Sequence, residues 1–426
     1  MTDQGLYEFL CVAIVLLASS WLLAWIVKRL MRTREGFAIA KPITIAFGVR
    51  ILAAIGLGQL AIARDLRGGD ELTFLARAET ASGLPFSDSF SIDQLTSELH
   101  TFLFQLHYRI FDIAPPEMML RVEMVFFATV GVALFAAAVY ELAGPKPALI
   151  AAWILTLEPA NIFFSSLLHK EPLMYLAEGL VAFGGAVLWK RGHILALLPM
   201  ILGCLIATAT RPYVGWFLTA AACAVVLHAS LTRQRGLRSL ALTCLCVIGI
   251  VAFIPVVWDK SSDESLTELQ QSQDANAADI TANLSLERVD YSTRENLILN
   301  LPKRIKDVIL RPYVWQTQNT SQQLGAIGTL VVLACLALLA MAIARNRKQI
   351  MEVAGPLVYP AAFMLVAYAI SAGNAGTAYR YRTHLVGLAV CLVIVLLAHR
   401  RQEQEGLSRV PRRPGLATIS RTRTAS

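Results

Sequence analysis

The residues best suited to chemistry fall in five short polar connections between long apolar runs. The first, Arg64 to Gly83, reads RDLRGGDELTFLARAETASG and holds the adjacent acids Asp70 and Glu71. The second, EPANIFFSSLLHKEP, holds Glu158, His169, Lys170 and Glu171. Arg211 heads RPY, Arg311 heads RPYVW, and Arg380, Arg382 and His384 lie in GNAGTAYRYRTH. A carboxylate takes a proton from a hydroxyl, and an arginine grips a phosphate through two parallel N–H bonds. An acid pair just outside a hydrophobic span is costly to keep dry, so it belongs at a wet surface. Acids and cations in this mix suit a sugar carried on a lipid phosphate. An acceptor hydroxyl attacks the anomeric carbon, the carboxylate removes the hydroxyl proton, and positive charge stabilises the phosphate that leaves.

Each of these residues also has a simpler reading. Asp70 and Glu71 suit the first turn of a helix, where negative charge meets the positive dipole end. Lys170–Glu171 suits an ion pair at the membrane interface, and Arg211 suits a side chain reaching for headgroups. Arg380 and Arg382 are harder to explain this way, because they put positive charge on a side that topology disfavours. Arg50, inside an apolar run, has no assigned role beyond reaching for the interface or pairing helices. His100 and His107 read as surface residues of an amphipathic stretch.

The elements that must position these residues are membrane helices. The chain has 426 residues, 56% hydrophobic and 16% charged, against about 25% charged in soluble domains. Its apolar runs are about 20 residues long, the reach of a bilayer helix. About eleven spans are expected, at 6–27, 43–63, 119–142, 147–164, 170–189, 194–210, 213–231, 237–258, 323–344, 353–372 and 383–399. The run 147–164 is short and breaks at Glu158-Pro159. The fold class is therefore all-α, a polytopic transmembrane helix bundle with juxtamembrane helices and no large soluble domain.

Lys and Arg after alternate spans, from Lys28 and Arg29 to Arg400 and Arg401, predict an N-terminus outside and a C-terminus in the cytoplasm. The net charge of +8 follows from these topology signals, so it does not argue for nucleic acid. The seven cysteines fall in apolar runs, which argues against both a disulfide framework and a zinc site. Two long outer connections are expected, at 64–117 and 259–322. The first carries an amphipathic helix through Phe102, Leu106 and Ile110. The second begins with a polar, acidic stretch expected to be mobile. It continues with a basic amphipathic helix around Lys303 to Ile309, suited to an anionic lipid surface. Residues 1–401 form one transmembrane domain, and 402–426 read as a disordered basic cytoplasmic tail. Asn283 and Asn319 fit a glycosylation pattern.

GDELTFLARAETASG, then a surface helix and a span, resembles the opening of the C-type (GT-C) membrane glycosyltransferases, including the protein mannosyltransferase and aminoarabinose transferase branches. Their first long outer loop carries an acidic catalytic residue, commonly in an Asp-Glu pair followed by an aromatic residue and Ala-Arg. The matching residues here are Asp70, Glu71, Phe74, Ala76 and Arg77, with Phe74 where Tyr is usual. The segment Pro159 to Glu178 resembles bacterial envelope-polysaccharide membrane proteins that begin a span with Lys-Glu or Lys-Asp; RPYVW and GNAGTAYRYR are similar to later segments of the same proteins. The resemblance implies an inverting transferase with Asp70 as base, Glu71 beside it, and Lys170, Arg211, Arg311, Arg380 and Arg382 on the donor phosphate. It implies a polyprenyl-phosphate-linked sugar as donor and an envelope glycan or lipid as acceptor, on the periplasmic or outer face of the plasma membrane. Some members use a divalent cation, Mg or Mn, for which Glu158, His169 and Glu171 are the candidate ligands here. Two alternatives stand beside this reading. One is a polysaccharide polymerase or ligase using a lipid-diphosphate oligosaccharide. The other is a transporter or flippase of lipid-linked sugars, which calls for interrupted helices and charge near the midplane; the sequence places its charges at span ends.

Overall fold

The computed structural model describes residues 3–59, 69–83, 98–110, 116–232, 263–278, 286–316 and 320–408. The described residues are helical, without strands. The helices are α1 (Asp3–Arg32), α2 (Ala40–Gln59), α3 (Gly69–Ser82), α4 (Leu99–Ile110), α5 (Glu117–Ala143), α6 (Pro145–Leu157), α7 (Pro159–Ser165), α8 (Glu171–Arg191), α9 (Leu197–Thr210), α10 (Pro212–Thr232), α11 (Asp263–Ala278), α12 (Arg294–Leu310), α13 (Thr320–Asn346), α14 (Ile350–Ser371) and α15 (Ala375–Ser408).

Eight of these, α1, α2, α5, α8, α10, α13, α14 and α15, are long and apolar enough to cross a membrane, and the bent pair α6–α7 makes up to nine. The chain is thus a multi-pass membrane protein, with fewer such helices among the described residues than the eleven expected. The expected span 194–210 is the shorter apolar helix α9, and the expected span 237–258 lies outside the described residues.

α5 and α8 form the centre: 83% of each apolar window is buried, against 22% for α1 and α13. They run in parallel and touch backbone to backbone. A Cβ on Gly131 would lie 2.9 Å from the Tyr175 carbonyl oxygen, and one on Gly179 2.9 Å from the Gly131 oxygen. Lipid tails give helices no hydrophobic drive to associate, so small residues that permit close approach take over that role. α1, α2, α6 and α15 pack around α5, while α9, α10 and α14 pack on α8. The outer faces of α1 and α13 expose Phe9, Leu17, Trp21, Ile327 and Leu330, as lipid contact demands.

The break between α6 and α7 follows from Pro159. A residue before proline is pushed out of the helical region, and Glu158 sits at φ −66°, ψ 114°, with the two helices 60° apart. A break inside a membrane frees backbone carbonyls that have no water to meet. Arg50, fully buried in the middle of α2, answers them by donating to the Leu155 and Thr156 carbonyls (3.2 and 3.4 Å), to Ser165 Oγ (3.0 Å) and to Asn161 Oδ1. The Glu158 carboxylate accepts from the Ala160 and Asn161 amides and so caps α7.

Three segments outside the spans show definite structure. The acidic start of 259–322, expected to be mobile, contains helix α11. The basic helix expected on a lipid surface is α12, which packs on α14 and α15 and buries Arg304 and Asp307; Arg304 donates to Tyr291 Oη (2.9 Å). The last helix runs through Ser408, past the expected start of the tail at 402. Residues 409–426, Asn283 and Asn319 lie outside the described residues.

Candidate active site

α3 starts at Gly69 and carries Asp70 and Glu71 in its first turn, where the helix dipole favours both charges. Adjacent residues on a helix point about 100° apart, and the two acids meet opposite fates. Glu71 is fully buried; it accepts from Arg121 Nη2 (2.7 Å) and from the Leu168 backbone amide (2.7 Å). Asp70 stays half exposed and pairs with Arg380, one turn into α15. Glu71 thus anchors structure, and Asp70 faces the open side.

The loop 166–170, between α7 and α8, is fastened on all sides. Arg121 Nη1 donates to the Ser166 carbonyl (2.8 Å), Ser166 Oγ donates to the Arg50 carbonyl (3.0 Å), and His100 Nε2 meets the Leu168 carbonyl (3.2 Å). His100 is buried edge-on to Phe74, with ring centroids 4.7 Å apart, rather than lying on a surface. These bonds hold His169 in a buried position, its Nδ1 3.8 Å from Glu171 Oε2. Arg211, at the α9–α10 junction, donates to Glu171 Oε1 (2.6 Å) and lies 4.6 Å over the Tyr381 ring. Lys170 Nζ stands 5.5 Å over Phe74.

The cluster carries unsatisfied groups. Both ring nitrogens of His169, Oε2 of Glu171 and Nη1 of Arg211 are buried without a hydrogen-bond partner among the described residues. Buried polar atoms are rarely left so, and a ligand offering both hydroxyl donors and oxygen acceptors would satisfy them. Burial, with Arg380 next, pushes the His169 pKa down to about 4, so the ring is neutral at pH 7. Burial raises the pKa of Asp70, but the Arg380 guanidinium overrides that and holds the carboxyl below its ordinary range. Burial, and then Arg211, lowers the Lys170 pKa.

Of the five cations expected on a phosphate, Lys170, Arg211 and Arg380 gather here. Arg382 and Arg311 do not. Arg382 is buried and donates to the Ile309, Arg311 and Gly325 carbonyls and to Thr329 Oγ1 (2.9–3.2 Å), tying α15 to α12 and α13. Arg311 pairs with Asp307 (3.2 Å) and Glu287 (3.7 Å). Among the described residues no three His, Cys, Asp or Glu side chains gather to hold a metal ion. Glu158 is turned back into its cap, and one oxygen of Glu171 belongs to Arg211. Of the three candidate ligands, His169 and Glu171 lie together while Glu158 is held in its own cap.

The fold brings in three groups to which the sequence gave no role, Arg121, Glu178 and Tyr368, and draws His100 in from its expected surface. Arg121 and His100 brace the loop. Deeper in the bundle, Glu178 accepts from Tyr368 Oη (3.0 Å) and lies 3.5 Å from His384 Nδ1; all three are buried. Glu171 and Glu178 are seven apart, the spacing that stacks two side chains on one helix face, and that spacing was the available signal. Glu178 adds a second interior charge to Arg50, which the sequence already placed inside an apolar run, and so departs from the expected placement of charges at span ends. Comparison with protein-family models, curated proteins and solved structures finds no match to this chain.

Proposed function

We propose that this protein is a membrane glycosyltransferase of GT-C type, using a polyprenyl-phosphate sugar and delivering it to an envelope glycan or lipid. The observation that carries this reading is the half-exposed Asp70, paired with Arg380 beside the buried His169, Glu171 and Arg211. Asp70 takes the proton of the acceptor hydroxyl as that oxygen bonds to the anomeric carbon. The bond from the anomeric carbon to the phosphate oxygen breaks, and the electron pair leaves with the lipid phosphate. Arg380, Arg211 and Lys170 stabilise the departing charge. Arg380 has a double part: a phosphate that engages it releases Asp70 from its ion pair, which restores the carboxylate's basicity only when donor is present. The N-terminus outside, the C-terminus inside and a periplasmic or exterior site complete the reading. Support for that orientation comes from Lys28, Arg29, Arg32, Arg191, Arg345 and Arg400, which lie at the bundle end opposite Asp70.

The test is release of free lipid phosphate by purified protein given a lipid-phosphate sugar and acceptor. Asp70→Asn is expected to lower turnover at least about 100-fold with at most a small fall in melting temperature. Full turnover by that variant removes the assigned base, and release of lipid diphosphate favours a polymerase.

A second reading rests on a different observation. The broken α6–α7 pair sealed by Arg50, with Glu178 and His384 deep in the bundle, gives one interrupted helix and interior charge, which is how transporters of lipid-linked sugars are built. Movement of the lipid-linked sugar across a vesicle membrane without bond formation would favour it.

A further inference from the structure

A groove of about 620 Å³ opens between α1 and α2, far along α1 from its Asp3 end. Leu23 and Val27 of α1 and Ile43 and Phe47 of α2 form its buried walls. Lys28 and Arg32 line the same groove. From Ser20 to Arg32 it follows α1 for about 18 Å at the helical rise. One leaflet of hydrocarbon is about 15 Å deep, so the groove has the length of one acyl chain reaching inward from the interface.

The cations at its mouth are open to a ligand. At the same end of the bundle, Arg34 and Arg191 both bond the Glu141 carboxylate. Lys28 and Arg32 have no hydrogen bond or ion pair among the described residues and are exposed. Two unpaired cations above an apolar slot complement a phosphate headgroup with an attached acyl chain. A basic cluster at a helix end attracts anionic lipid at about 1 kcal/mol per residue.

We propose that the α1–α2 groove binds an anionic phospholipid, with one acyl chain between Leu23, Val27, Ile43 and Phe47 and its phosphate on Lys28 and Arg32. The site lies at the opposite end from Asp70 and stands independently of the proposed enzymatic reading. It also explains how two weakly packed helices stay together: the acyl chain fills the space between them.

Native mass spectrometry of the protein released from nanodiscs of equal phosphatidylglycerol and phosphatidylcholine tests it. Phosphatidylglycerol is expected to be retained preferentially. Lys28→Ala with Arg32→Ala should lower that retention about thirtyfold, and Ala24→Trp, which fills the groove, should lower retention of both lipids. Arg347→Ala with Lys348→Ala, on the α13–α14 turn, should leave retention unchanged. Equal retention of the two lipids by the unsubstituted protein overturns the proposal and requires no variant. Undiminished phosphatidylglycerol on the Lys28/Arg32 variant or on Ala24→Trp overturns it as well.

Discussion

Asp70 and Glu71 are neighbours of one chemistry, yet burial gives them separate work. Taking one partner from a buried ion pair leaves the other charge uncompensated, at a cost of about 3–5 kcal/mol. Glu71→Gln should therefore lower stability by up to about that amount, since Arg121 keeps only the more exposed Glu117 (3.6 Å) as an acid partner, whereas Asp70→Asn, at a half-exposed position, should cost much less; thermal melts of the two variants in one detergent check the contrast. The buried histidines set the response to acid. Burial pushes His100 down to about 3 and His169 down to about 4, against 6.5 for a free side chain. Below pH 6.5 the unfolded chain therefore binds protons that the folded protein refuses, so stability falls as pH drops from about 6.5 toward 4. Asp70, held low by Arg380, keeps its contribution through that window and loses it only as pH falls through its depressed value. The melting temperature should fall between pH 7.5 and 5.5, and His100→Gln should reduce the fall.

At the scale of elements, the break at Glu158-Pro159 and the cation in α2 are one device. Proline frees the carbonyls, and Arg50 reaches across from α2 to take them. Each buried carbonyl left unmet costs about 1–3 kcal/mol, so Arg50→Leu should destabilise the protein by about 2–6 kcal/mol for the two carbonyls, read as a lowered unfolding midpoint in detergent. Arg50→Lys should recover only part, because an ammonium lacks the planar fork that spans several acceptors. The same reasoning separates Arg382 from Arg380: the first is consumed by four acceptors on α12 and α13, while the second turns to a half-exposed carboxylate.

For the whole molecule, alternation of the helices brings the starts of α3, α5, α8, α10 and α15 to one end, and with them Asp70, Arg121, Glu171, Arg211 and Arg380. The proposed orientation puts this end outside. A single cysteine introduced as Gly83→Cys in a cysteine-free background should react with an impermeant maleimide on intact cells, and Arg347→Cys should react only after permeabilisation. The reverse pattern would place Asp70 in the cytoplasm and remove an extracytoplasmic active site.

The apolar runs alone determined that this is a helical membrane protein, and most span positions followed, because bilayer thickness fixes the length of a helix that crosses it. The break at Pro159 was legible too, since proline acts on its own neighbours. Sequence also placed Asp70, Lys170, Arg211 and Arg380 in one candidate set by charge type and expected side. What each side chain does was decided by tertiary structure. Glu71 became an anchor, His100 a buried brace, Arg382 a clamp, and Arg50 the seal of a broken helix, because each role depends on partners 50 to 115 positions away in the chain. A charge in a sequence has a sign and a reach; only packing settles whether its partner is another residue, a freed carbonyl or an incoming ligand.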